Sequence, residues 1–342
     1  MCYNSTGMSG FLGSKRETIG WLLEKDNPSV RYLTLSEILA RPRKKADVLE
    51  AKAGIMATGV IPKILAKQYP EGDWLDRQNF YIKTKYRGTV WQVILLAELF
   101  ADGSDKRIRS ACEFLLEHSQ NKETGGFAYR SSKAGDGDKD AIIPCLTGNL
   151  TWSLVRFGYG EDPRIQKALD WITRYQRFDD GEDTPPSGWP YRLEKCWGRH
   201  TCLLGMVKAL KALSEIPPKK RSAAARSTIR KAADFILRHH LFMRSHNLNV
   251  IANPDWICLG FPLFWMTDIL ELIWLLVKNG IRDRRMDNAV ELAFSKQDRD
   301  GRWSLEKTFN GRMPANIEEK DCPSKWITWR AWQALQVYEE TV

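Results

Sequence analysis

Very little of this 342-residue sequence alternates apolar and polar residues in the rhythm of a strand, and none of it is a low-complexity tract. A β-rich fold and a disordered chain are both excluded on that ground. No zinc-finger, basic-zipper or RNA-binding signature is present. The formal charge of +10, from 52 basic against 42 acidic residues, is therefore not read as a nucleic-acid surface; the basic residues are spread thinly, with short clusters only at Arg41 to Lys45 and Lys219 to Arg221. An anionic small molecule or an anionic membrane surface is compatible with it. Met1 to Ser14 lacks the apolar core of a secretory leader. Seven cysteines, an odd number in a long chain, do not suggest a disulfide framework. The expectation is a cytoplasmic protein with free or metal-bound thiols. The longest apolar stretch, Ile257 to Val277, carries Asp268 and Glu271. It reads as an amphipathic helix rather than a membrane span, with peripheral membrane contact left open.

What is present is helical periodicity, broken by a recurring phrase. Val90, Val93, Ile94, Ala97 and Leu99 are followed by Ile108, Ala111, Phe114 and Leu115, and the couplet returns three more times further along. Asp162-Pro163 opens one helix, Gly158 and Gly280 end others, and Pro217-Pro218 separates partners. Between couplets a glutamine ends a helix and a glycine–aromatic turn follows. Gln68, Gly72 and Trp74 form one copy; Gln120, Gly125 and Phe127 a second; Gln297, Gly301 and Trp303 another; Gln176 with Gly188-Trp189 is a longer-looped version. The period is roughly 55 residues, room for two helices and two connections. A degenerate copy is expected near His240 to His246. The reading is all-α.

This phrase resembles the Gln-Trp motif of the squalene and terpenoid cyclases and the protein prenyltransferase β-subunits, over about Ile61 to Tyr338. The resemblance implies an α/α toroid, a barrel of repeated helical hairpins, at 61–342, with 1–60 as an amino-terminal helical extension or cap. Physically, the glutamine would cap its helix while the ring packs over the glycine turn. That role is structural.

Cys145 together with Cys196, His200 and Cys202 is the sharpest constellation. Thiolates and an imidazole suit tetrahedral zinc, although the spacing is not that of a finger or ribbon, and a free cysteine more often serves as a small buried hydrophobe. The segment His200 to Gly205 is similar to the one that carries the zinc-ligand histidine of prenyltransferase β-subunits, and Cys145 matches the family's cysteine ligand one repeat earlier. The family's aspartate ligand falls on Ile143, so Cys196 or Cys202 would have to replace it. A full set of three cysteines and a histidine favours a structural zinc.

Cyclisation by protonation needs a strong acid, which the cyclases supply from an Asp-x-Asp-Asp motif absent here. Asp138 and Asp140, just before the Cys145 helix, are the candidate acids; their bland alternative is a solvated loop with a helix cap. Asp179 to Asp183 reads as a turn. Trp189, Tyr191 and Trp197 are the aromatic residues chosen to line a substrate cavity, because they flank the cysteine–histidine cluster, while Trp91, Trp152, Trp256, Phe261, Phe264, Trp265, Trp326 and Trp329 are mostly core. Arg87 and Arg199, with Lys195 and Arg312, are candidate partners for a diphosphate or carboxylate. The functional expectation is an isoprenoid-handling enzyme, carrying out prenyl transfer or cyclisation in an aromatic lumen, with zinc as its candidate metal. The alternative is a non-catalytic lipid- or protein-binding barrel.

Overall fold

The structure, a computed structural model, describes residues 9–181, 189, 196 and 200–339. It is all-α apart from one antiparallel hairpin of β1 (Met243–Arg244) and β2 (Asn247–Ile251). That hairpin occupies the stretch where the degenerate repeat turn was expected. The amino-terminal part comprises α1 (Ser9–Leu22), α2 (Pro28–Leu33), a π-helical turn at Thr34–Ile38, α3 (Ala46–Ala57) and α4 (Val60–Leu65). Two kinds of helix then alternate. Inner helices are α5 (Thr89–Glu98), α7 (Pro144–Leu154), α9 (Leu203–Glu215), α11 (Ile269–Lys278) and α13 (Lys325–Glu339); outer ones are α6 (Lys106–His118), α8 (Pro163–Tyr175), α10 (Ala223–Arg238) and α12 (Asp287–Ser295).

Burial separates the two kinds. In α5 every residue from Thr89 to Ala97 is buried, and in α7 nearly every residue is. The outer helices bury one stripe only, such as Ile165, Ala168, Leu169, Trp171 and Ile172 of α8. A helix apolar on all sides must be surrounded, and a helix with one apolar stripe must lie at the surface. Accordingly α5 packs on α7, α7 on α9, α9 on α11, and α11 on α13, which in turn meets α2. The buried Ser29 hydroxyl of α2 donates to Leu99 O just past α5, 2.7 Å away. The closest of these approaches joins α7 and α9. A Cβ on Gly148 would fall 2.4 Å from the Lys208 backbone, so only glycine permits that spacing.

The repeated phrase is a set of repeated bonds. Gln68 Nε2 donates to Gly72 O and to Arg107 O on the following outer helix, and Gln120 Nε2 donates to Gly125 O and to Arg164 O in the same way. The amides of Trp74, Phe127 and Trp303 donate to the hydroxyls of Thr89, Thr147 and Thr328, each 3.0 Å away in the next inner helix. The glutamine thus reaches past its own turn to the next outer helix, rather than capping its own. The glycines at these turns have φ of 94°, 86° and 76° (Gly72, Gly125, Gly301), the left-handed region that favours glycine.

One continuous apolar cluster runs from Leu22 to Leu335. The apolar run behind the membrane-contact expectation lies mostly inside it: Phe261, Phe264 and Ile269 to Ile273 are buried, and only Ile269–Lys278 is regular α-helix. No described helix is long and apolar enough to cross a membrane.

Candidate functional site: an aromatic-walled cavity

Tyr81, Tyr86, Trp91, Phe264 and Phe309 form a plug of rings at the start of α5: Tyr81 stacks on Trp91 at 4.5 Å, and Tyr86 packs on Phe309 at 4.3 Å and on Phe264 at 5.5 Å. Cys145 lies beside this plug in the first turn of α7, and Cys202 immediately precedes α9. Burial, followed by the neighbouring thiols of Cys202 and Cys196, pushes the Cys145 thiol well up. Burial raises the Cys196 thiol to about 11 and also raises Cys202. The three cysteines are therefore neighbours. His200 is not with them: its ring is 67% exposed, and its Nδ1 lies 3.0 Å from Asp180 O. Among the described residues no three His, Cys, Asp or Glu side chains converge to hold a metal ion.

The other expected site residues are dispersed. Asp138 caps the 3-10 turn Lys139–Ala141 by accepting from Asp140 N, and pairs with Arg130 at 2.9 Å. That is the local bonding of a solvated loop. Arg87 donates to Arg312 O at 3.3 Å beside the aromatic plug. Trp189 packs edge-on against Tyr175 of α8, with centroids 5.9 Å apart. Tyr191, Trp197 and Arg199 lie outside the described residues.

A cavity of about 430 Å³ is walled by Trp152, Phe261, Trp274, Trp326 and Trp329, with charged groups set among them. Trp152 lies two turns beyond Cys145, a rise of about 10 Å along α7. The indole N–H groups of Trp152 and Trp329, both buried, have no acceptor among the described residues.

Beneath the rings lies a ladder of buried ion pairs. Lys208 Nζ holds both Glu271 oxygens at 2.8 and 2.7 Å. Lys211 pairs with Glu98, lies 3.5 Å from Glu271, and has its Nζ 3.8 Å from the centre of the Trp152 ring. Arg330 Nη2 meets Asp268 Oδ1 at 2.6 Å, and Asp268 also caps α11 by accepting from Glu271 N. Burial alone would raise the Glu271 carboxyl, but the charges of Lys208 and Lys211 outweigh it and hold it below its ordinary value. These six charges bind four inner helices together.

At the mouth, Arg156 Nη1 and Lys278 Nζ share Glu215, at 3.1 and 2.8 Å. Glu37, from the π-helical turn, faces this cavity and the larger one outside it. Its side chain is exposed; the partial burial of its carboxyl pushes it up, opposed by the charges of Arg156 and Lys278. Sequence reasoning missed Glu37, Arg156, Lys211, Trp274 and Glu215, because they occur at ordinary helix positions in separate repeats. A charged residue facing the apolar side of an inner helix, as Lys208, Lys211 and Glu271 do, was the one signal available.

No family model matches the chain, and no curated protein matches it. Among solved structures, type II terpene cyclase MstE from Scytonema is 15% identical, with a TM-score of 0.47, covering 98% of this chain and 100% of that one. A variant of the same cyclase, in complex with geranylgeranyl dihydroxybenzoate, is 16% identical with a TM-score of 0.45, covering 98% of this chain and 99% of that one. A protein from Actinoplanes is 14% identical with a TM-score of 0.31, covering 85% and 100%.

Proposed function

We propose that the inner helices close into an α/α toroid whose lumen holds an isoprenoid-like chain, the reading that the glutamine–aromatic repeat also implies. One observation carries it: the 430 Å³ cavity lined by aromatic side chains. Its size is within the range of small-molecule sites, and its walls suit an apolar chain. The same ring faces would stabilise positive charge developing on that chain, as cyclisation or prenyl transfer requires. Glu37 is the acid best placed to give up a proton there, because the other lining carboxyls, Glu98, Glu215 and Glu271, are each ion-paired.

A second reading, a barrel that binds such a chain without turning it over, is favoured by the pairing of both deep carboxylates, Glu98 and Glu271, with lysines. Incubation with farnesyl and geranylgeranyl diphosphate, followed by solvent extraction and mass spectrometry, separates the readings. New cyclic isomers of the diphosphate, extracted as alcohols after phosphatase treatment, that disappear in Glu37→Gln support the enzyme. Intact compound retained by the protein supports the binder. Neither product nor retention would defeat the isoprenoid reading.

A further inference from the structure

The chain's positive charge gathers on one outer surface, because acids are nearly missing there. Residues 216–254 hold eight lysines and arginines against a single acid, Asp234, and so carry +7 of the chain's formal +10. They form outer helix α10 and the β1–β2 hairpin that follows it. Arg226, Arg230 and Lys231 are exposed on α10, and Arg244 is exposed in β1. Arg226 and Arg230, four residues apart, share one face about 6 Å apart along the axis, where like charges repel. A 3-10 turn at Arg284–Met286 packs on α10 and adds the exposed Arg284, while Asp234 acts on Arg285 in that turn. Among the described residues no ion pair holds Arg226, Arg230, Lys231, Arg244 or Arg284. The hairpin continues the surface: Met243 N donates to His239 O at 2.7 Å, tying β1 to the end of α10. Leu248 and Val250, alternate residues of β2, are 41% and 36% exposed.

We propose that this surface docks an extended acidic segment of a partner protein, with its carboxylates along α10 and an aliphatic end against Leu248 and Val250. The inference is independent of what fills the aromatic cavity. Alternate side chains of an extended chain fall about 6.6–6.8 Å apart, close to the axial spacing of Arg226 and Arg230. From Arg226 to Arg238 the helix rises about 18 Å, the length of about five or six extended residues. A line of cations on a cylinder meets a single chain along its whole length, but a flat bilayer only at its crest. A nucleic-acid backbone offers nothing to Leu248 and Val250. Carboxylates laid along α10 also relieve the repulsion between Arg226 and Arg230, so the charges that destabilise the free protein favour the complex.

Fluorescence anisotropy of the full chain with a labelled peptide of alternating glutamate and serine, closed by Leu-Ser-Val, tests this. Binding is expected, fading as salt is raised toward 1 M, where the screening length is about 3 Å. The double change Arg230→Glu with Lys231→Glu should weaken it about tenfold or more, the loss of two surface pairs. Both side chains are exposed, so circular dichroism of this variant should match the wild type. Leu248→Ser with Val250→Ser leaves the charges in place. It should weaken the aliphatic-ended peptide several-fold and leave a peptide ending in serines unchanged, which decides the matter if the first variant folds poorly. No binding by the wild-type protein, or equal binding by the charge-reversed variant, would overturn the proposal. So would displacement of the peptide by oligouridylate RNA or phosphatidylserine vesicles more readily than by unlabelled peptide of equal charge, which would assign the surface to nucleic acid or membrane.

Discussion

Glu271 shows how one buried side chain is committed. It is 3% exposed, both its oxygens are held by Lys208, and Lys211 approaches one of them. Replacing it with glutamine removes the charge and leaves Lys208, which is fully buried, without a counter-ion. The expected cost is about 3–5 kcal/mol, the usual penalty for breaking a buried pair from one side. Urea unfolding measures it, and a loss below 1 kcal/mol would show the pair to be dispensable. The pH dependence has a definite sign. A carboxyl whose folded-state pKa is depressed contributes stability that is fully present above its unfolded value, near 4.5, and lost as pH falls through the folded value. Wild-type stability should therefore drop on the acid side of pH 4.5, and the drop should be shallower in Glu271→Gln. A parallel acid limb in the two proteins would mean that other carboxylates carry it.

The hairpin is the unit that the amino-acid sequence announces. Glutamine, glycine and aromatic residue are neighbours along the chain, and each has a fixed local task. The glutamine bridges to the next outer helix, the glycine adopts positive φ, and the aromatic residue's amide bonds to a threonine in the next inner helix. Gly125 shows the constraint most sharply, since its φ is 86° and a Cβ there would fall 2.6 Å from Lys167 O. Gly125→Ala is expected to cost about 2–4 kcal/mol, from left-handed strain together with overpacking. Thermal melts against the neighbouring Gly135→Ala supply the control, because Gly135 has φ of 95° but open space around it. Equal losses at the two glycines would remove the packing part of the argument. A local device of this kind is legible in the residues, and so the helical couplets and their punctuation were legible too. The cavity was not. Its walls combine Trp152, Lys211, Trp274 and Trp329 from four different inner helices with Glu37 from the amino-terminal part, and no spacing along the chain links them. The thiols of Cys202 and Cys196 act on that of Cys145, while the ring of His200 bonds to Asp180 O, twenty residues away along the chain.

At the scale of the whole molecule, the question is whether residues 1–60 merely cover a barrel or are part of its wall. The buried side chains of Leu22, Val30, Leu33 and Ile55 belong to the same apolar cluster as the inner helices. Ser29 bonds to Leu99 O, Thr18 to Asp300 O beside a repeat turn, and Glu24 pairs with Lys325 at 2.7 Å at the start of α13. Four buried aliphatic side chains at about 2 kcal/mol each approach the net stability of an ordinary domain, about 5–15 kcal/mol. Deleting residues 1–60 should therefore abolish cooperative folding of the remainder rather than open a mouth in a stable barrel. Circular dichroism during heating decides this. Loss of the sigmoidal transition, with exposed apolar surface reported by dye binding, is the expected result. A truncated chain that keeps its helical signal and melts cooperatively would make the amino-terminal helices a removable cap, and Glu37 an accessory to the cavity rather than part of its frame.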